Sequence, residues 1–380
     1  KKERKMRSVI IVGPDHQNTL GVIRAVGKEG YLVNLLIYSD GQHECKCKFS
    51  SFVKGQYINC PESEEVVVEN ILKMARKGQY KIPVIPTSDF AAMCIDKNYQ
   101  LLNLSQKLIL PSIRDREGMI FEYMDKYAQK KLAEEYDIKM AKTLKIKLPY
   151  SSGVTDIGYP CVLKPVVSAK GLKSDIIFAN NFKEFQNALL NYYNKGYCEV
   201  LVQEFINKDF EVCVFGCITK NSREFYCGAL RKIRYSPVGD GASLSFAQFT
   251  EVDERYKKII NLLKDIGYNG LFDIEMFAVG DLLYLNEINF RNSGNGWAIV
   301  NCGINAPVIW IKDRLGERIN CSQKHYIDDN SFFMNETADL RNVMKKRVNI
   351  FRWGIDLFRT KSFNKFWKKD IKGSLVWYRR

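Results

Sequence analysis

The sequence predicts a mixed fold: an open α/β sheet first, an α+β body behind it, and a basic, aromatic-rich tail. Three observations carry this. Over the first ~110 residues, short apolar runs alternate with helix-period segments. Later, Leu271–Phe277 and Tyr284–Arg291 both alternate with period two around a turn at Gly280-Asp281. Near residue 320 the alternation stops, and after Asp339 cations interleave with large aromatics.

The elements follow in order. Ser8–Val12 predicts a strand, and Gly13 turns the chain into a helix over Leu20–Val26. Tyr31–Ile37 is a second strand. Glu64–Lys77 has apolar residues at helical spacing (Val67, Val68, Ile71, Leu72, Ala75). Pro83–Pro86 is a short buried strand, followed by a helix over Asp89–Asn98 entered through Thr87-Ser88. The Gly13 turn lacks GxGxxG spacing and carries Pro14, so it is no dinucleotide fingerprint. Ligands of open α/β sheets sit beyond the carboxyl ends of strands, which makes Asp15, Asn18, Thr19, Ser88 and Asp89 pocket candidates. Pro111 marks a boundary, and a helical stretch with Asp125, Lys126 and Lys130 follows. Pro160–Lys164, Asp175–Phe178, Glu199–Ile206 and Phe210–Phe215 read as strands, with a helix over Phe182–Tyr193. The expected division is 1–110, 111–200, 201–320 and 321–380.

Composition narrows the chemistry. At 380 residues, 46% hydrophobic and 27% charged, two or three globular domains are expected. No apolar run is long enough to span a bilayer, and Val9–Val12 reads as a first strand, not a signal-peptide core. Eleven cysteines without CxxC pairing fit reduced thiols in the cytoplasm. With only three histidines, mechanisms built on a His base are disfavoured. The net charge of +15 is concentrated at the ends. Five Lys/Arg oppose Glu3 in residues 1–7, thirteen oppose Asp356 and Asp370 in 341–380, and residues 8–340 balance. The body is therefore no polyanion binder, and nucleic acid is not an expected partner.

The hairpin carries the sharpest signal. Alternation puts Asp273, Glu275 and Phe277 on one face, and Glu287, Asn289 and Arg291 on one face of the partner strand. Glu275, Glu287 and Asn289 together offer hard oxygen ligands suited to Mg²⁺, or Mn²⁺ in its place, holding nucleotide phosphates. Arg291 keeps its charge and suits an anionic group. Lys164 ends an apolar strand before Pro165 and the small-residue loop Val167–Gly171, an arrangement that sets an ammonium and loop N–H groups against phosphate.

These motifs, in this order, resemble an ATP-grasp domain from about residue 111 to 310, with residues 8–110 similar to the Rossmann-like domain that precedes it. The resemblance implies ATP and Mg²⁺ as cofactors. It implies phosphate contacts from Lys126, Lys164, Ser168 and Gly171, though the loop has a single glycine where relatives have more. Gln203, Glu204, Phe205 and Ile206 match the connector that holds adenine. Glu211, or alternatively Asp209, matches the ribose carboxylate. Among Arg231, Lys232 and Arg234, the first two are the favoured cations at the γ-phosphate, with Gly239–Ser243 as a loop over the site. Glu275, Glu287 and Asn289 match the metal ligands, and Arg291 the anion clamp near the acceptor. Asp273 departs from peptide-forming relatives, some of which place an arginine there. The implied reaction is acyl-phosphate formation from a carboxylate, then amide formation with an amine. The overall look is most similar to carboxylate–amine ligases of the D-aspartate ligase type, which act on cell-envelope precursors. Loop Asn292–Trp297 would meet the acceptor. A carboxyphosphate-forming enzyme and a non-catalytic nucleotide-binding module are the alternatives. The tail, 341–380, with Phe351, Trp353, Phe358, Phe363, Phe366, Trp367, Trp377 and Tyr378, reads either as an interfacial element on an anionic membrane or as aromatics packed on the N-terminal domain.

Overall fold

The computed structural model describes residues 7–76, 81–104, 106–150, 156–166, 175–221, 223–237, 243–326, 328 and 330–378. The first sheet is built from β1 (Ser8–Gly13), β2 (Leu32–Tyr38), β3 (Tyr57–Cys60), β4 (Ile82–Pro86) and β5 (Leu108–Ile109). All pairings are parallel, in the order β3-β2-β1-β4-β5. Both faces of β1 are covered, which is why Val9–Val12 is continuously apolar. Ile10 and Val12 pack with the helices Glu64–Arg76 and Asp89–Lys97, while Val9 and Ile11 pack with the helix Gln17–Gly27. That last helix starts earlier than its apolar pattern, at a cap where His16 Nδ1 accepts from Asn18 N–H. Gly13 is required by close approach, since a Cβ there would lie 1.8 Å from Thr87 Oγ1.

The body holds two further sheets. After β6 (Ser112–Ile113) come β7 (Thr143–Lys147), β8 (Cys161–Lys164), β9 (Ile177–Ala179) and β10 (Glu199–Glu204). The last four form an antiparallel sheet in the order β7-β10-β8-β9. Leu163, Cys161, Val200 and Val202 pack on the helix Phe182–Asn194, and the alternate residues, including Lys164 and Gln203, lie on the other face.

The larger sheet contains β11 (Phe210–Ile218), β12 (Phe225–Tyr235), β13 (Leu244–Thr250), β14 (Tyr268–Val279), β15 (Leu282–Asn289), β16 (Phe332–Met334) and β17 (Thr360–Phe363), with β6 pairing on β14. Its path is β15-β14-β11-β12-β13-β16-β17, antiparallel except for the parallel β16–β17 pair. The β14–β15 turn falls at Gly280, whose φ of 54° is left-handed.

The tail is largely integral to this architecture. Strand β17 extends the large sheet, and Trp353, Leu357 and Phe363 pack on Phe246 and Phe332. Trp367 stacks on Phe52 and meets Trp297 edge-on. Arg24 Nε donates to Asp370 at 2.9 Å in a wholly buried pair, and Asp370 also accepts from Ser50 Oγ and Ser51 N–H. Of the two readings of residues 341–380, packing on the N-terminal sheet therefore describes the stretch around 367–377. It does not describe the helix Ile350–Arg359, whose outer side is open. No helix among the described residues is long and apolar enough to cross a membrane.

Candidate functional site

Register alone gathers the hairpin's polar groups. Asp273 opposes Asn289 and Glu275 opposes Glu287, so all four project from one face. Between Glu275 and Met276 the register slips by one, leaving Asn286 without an opposite residue. On neighbouring β11, Glu275 is paired with Cys213, and on β12 the register sets Lys232 across from Glu211, on the same face. Lys232 Nζ donates to Glu211 at 2.7 Å and lies 4.0 Å from Glu275. Lys208, which sequence reasoning missed, forms a second ion pair with Glu211 at 2.7 Å. Despite burial, Lys232 and Lys208 hold Glu211 below the usual carboxylate range. Burial likewise opposes charge on Lys232, yet the carboxylates of Glu275 and Glu211 keep it well above the ordinary ammonium value.

Cations arrive from two other elements. Helix Lys126–Glu135 is capped by Asp125, whose Oδ1 accepts from the N–H groups of Tyr127 and Ala128. It is keyed to the hairpin by Gln129: Nε2 donates to Ile288 O at 2.8 Å, and Oε1 accepts from Ile288 N–H at 2.8 Å. This clamp brings Lys126 Nζ to 3.7 Å from Glu287. Lys164, at the end of β8, is 6% exposed. Burial, reinforced by Lys126 and partly offset by Glu287 and Glu275, lowers it to about 7. The four groups Lys126, Lys164, Glu275 and Glu287 thus share one electrostatic centre between the two body sheets.

Two like charges directly opposed across a hairpin repel, so the Glu275–Glu287 pair is a poor structural choice and a good cation ligand. With Asn289 it fits Mg²⁺, which keeps the rest of its shell for phosphate and water oxygens. Among the described residues no cluster of three or more His, Cys, Asp or Glu could hold a metal, and two carboxylates plus an amide is a different donor set.

Arg291 is placed otherwise than as an open anion clamp. Its Nε donates to Asp89 at 3.1 Å and its Nη1 to Asp273 at 2.9 Å. Although burial works against it, Asp89 and Asp273 hold the guanidinium above its usual value. Burial in turn lifts Asp273 to about 6 against the pull of Arg291, and Asp273 Oδ1 has no hydrogen-bond partner among the described residues. The arginine is committed to joining the N-terminal helix to the hairpin. Arg231 lies apart from Lys232. Alternation turns it to the opposite side of β12 from Lys232, exposed, with its guanidinium 4.1 Å from the Phe210 ring.

The connector is partly assembled. Gln203 is buried and donates to Thr143 Oγ1 at 2.9 Å, so its side chain belongs to the small sheet. The Glu204 carboxylate accepts from Lys142 N–H at 3.1 Å. Exposed Phe205 meets Phe178 edge-on, with 6.1 Å between centroids, on the face that carries Lys164. Ile206 O accepts from Lys208 N–H. Ser168, Gly171 and most of loop 239–243 lie outside the described residues.

Of the N-terminal candidates, Asp89 reaches the hairpin through Arg291. Asp15 accepts from the N–H groups of Lys46 and Cys47, and Ser88 caps its helix. Asn18 donates to Thr87 O and to Asn292 O, while Thr19 donates to Pro14 O. Loop 292–297, expected to meet the acceptor, is anchored at both ends: Asn292 Nδ2 donates to Asn18 Oδ1, and Trp297 is buried beside Ala25.

Comparison with known proteins bears on the fold that carries these residues. Residues 131–305 match the model of the ATP-grasp domain family. The formate-dependent phosphoribosylglycinamide formyltransferase of Shewanella frigidimarina is 23% identical over 243 residues, 62% of this chain and 52% of that protein. The chain thus spans about half the length of such relatives. N5-carboxyaminoimidazole synthetase from Staphylococcus aureus superposes with a TM-score of 0.62 at 16% identity, covering 91% of this chain and 87% of that one. L-amino acid ligase from Bacillus licheniformis does so with a TM-score of 0.60 at 12% identity, covering 87% and 80%. At these identities the superpositions establish the fold. The body of the chain thus has the ATP-grasp fold behind a Rossmann-like sheet, a fold whose enzymes use ATP and Mg²⁺.

Proposed function

We propose that the protein is an ATP-dependent carboxylate–amine ligase: a substrate carboxylate takes the γ-phosphoryl group of ATP with release of ADP, and an amine then displaces phosphate from the acyl phosphate to give an amide. The observation that carries this reading is the opposed Glu275–Glu287 pair, faced by Lys126 and Lys232 at 3.7 and 4.0 Å, with Lys164 buried nearby. Mg²⁺, when bound, neutralises phosphate charge. The chain's own part is electrostatic: Lys164 and Lys126 orient phosphate oxygens, Lys232 stands at the sheet face where charge develops, and Phe205 walls the connector. No protein nucleophile is required, which suits a chain with three histidines.

On this reading the enzyme works in the cytoplasm, on an acid and an amine of the kind joined by D-aspartate ligase-type enzymes, with an envelope or polysaccharide precursor as acceptor. The relatives raise a second reading, activation of a one-carbon acid. The test is ADP release with amino acids against candidate acceptor acids, with bicarbonate and formate as separate arms. Glu287→Gln is expected to lower turnover about 100-fold or more, the scale on which a preorganised charge partner is felt. Retained turnover would place the metal elsewhere. ADP release that needs bicarbonate or formate and no larger acid would replace the envelope reading with the second one.

A further inference from the structure

The helix Ile350–Arg359 lies on the large sheet with one side only. Trp353, Asp356 and Leu357 face inward, with Trp353 and Leu357 packing on Phe246 and Phe332 and Asp356 receiving Arg234. The other side carries Phe351, Ile355 and Phe358 at i, i+4 and i+7, the spacing that aligns side chains along one helix stripe. Phe351 is 80% exposed and Phe358 96% exposed, with Ile350 and Ile355 also open. Just after the helix Glu336–Met344, Lys346 adopts a left-handed backbone (φ 56°) that turns the chain toward the helix Ile350–Arg359. The turn presents exposed Met344, Lys345, Lys346 and Arg347, and exposed Arg352 and Arg359 flank the aromatic stripe.

We infer that this helix face is a docking surface for an anionic lipid membrane, Phe351, Ile355 and Phe358 entering the acyl boundary and the surrounding cations meeting headgroup phosphates. Charge complementarity selects this occupant. Phenylalanines ringed by Lys and Arg, with no acidic side chain exposed on the helix, match an anionic leaflet, whereas a second copy of the same face would set like charges against each other. The integral side of the helix keeps the face oriented as a fixed element of the fold. A surface so placed would bring the body to lipid-linked molecules, but the inference does not depend on what the ligase joins.

The test is co-sedimentation of the full chain with vesicles of phosphatidylcholine containing about one-third phosphatidylglycerol, against vesicles of phosphatidylcholine alone. Wild-type protein is expected to pellet with the anionic vesicles only, and to be released when salt is raised several-fold. The F351S/F358S variant and, separately, the K345Q/K346Q/R347Q variant are each expected to reduce the bound fraction about tenfold. Both alter exposed positions, and unchanged melting curves will show that folding is intact. Wild-type protein left in the supernatant would overturn the proposal, as would equal pelleting with neutral vesicles. Undiminished binding by F351S/F358S would mark a simple polyanion patch instead. A wild-type dimer, seen by light scattering and lost in F351S/F358S, would identify a second copy as the occupant.

Discussion

Two buried ionic regions of this molecule are built on opposite logic. Along the seam of the tail, each guanidinium meets carboxylates at hydrogen-bond distance. Arg24 and Asp370 meet at 2.9 Å with neither side chain exposed, and Arg234 takes Asp339 and Asp356 at 2.6 Å each. On the hairpin face two carboxylates are paired in register, Glu275 opposite Glu287, and cations from separate elements stand at 4.0 Å (Lys232 to Glu275) and 3.7 Å (Lys126 to Glu287). Charges paired tightly with their opposites hold a fold together. Like charges held in register are arranged for something that arrives from outside.

The largest expected effect lies in the seam. Asp370→Ala would leave Arg24 buried without its carboxylate, with only Lys365 O, Ser374 Oγ and the residue 370 carbonyl accepting from it, and removing one partner of a buried pair costs about 3–5 kcal/mol. Urea unfolding of this variant should show that loss, and the double variant Arg24→Met/Asp370→Leu should recover most of it. A single variant as stable as wild type would break the distinction between the regions.

A middle-sized effect comes from Lys164, lowered to about 7 by burial. Below pH 7 the folded protein already holds this proton, and above it the amine is neutral. Phosphate restores the charged form, so ATP·Mg binding should take up close to one proton at pH 8 and almost none at pH 6. Calorimetry in buffers of different ionisation enthalpy measures this, and Lys164→Met should abolish it. The same shift means the unfolded chain binds the proton more tightly between about pH 7 and 10, so this group's cost to stability is relieved as pH rises through that window. The smallest effect is expected at Arg231. Exposed and stacked on Phe210, it lies outside the like-charge face, and Arg231→Gln should change ADP release less than about threefold, since an exposed cation–π contact contributes only about 0.5–1 kcal/mol. A larger loss would return Arg231 to the phosphate side.

Legibility in the sequence followed the range of the interaction. Each strand's polar face was readable because alternation is local, but the turn's own register, Val279 opposite Leu282, would set Glu275 against Asn286, and only the slip at Asn286 brings Glu287 to its side. Lys126 was visible as a residue but not as a neighbour, because its placement depends on the Gln129 clamp to Ile288, 159 residues away. Arg231 and Lys232 could not be separated by composition, and the side of β12 each takes is set by pairing with β11. Arg291 looked like an open cation because Asp89, its partner, lies 202 residues earlier.

By itself, the sequence determined the parallel N-terminal sheet, the charged hairpin and the concentration of cations at the tail, since apolar period and local charge are written in adjacent residues. Only the tertiary structure decided that Asp370 locks onto Arg24, that Arg291 bridges two parts of the molecule, and that one helix of the tail keeps its aromatics outside. Those outcomes depend on which distant surface each side chain meets, and burial free energy, unlike periodicity, is a property of the pair.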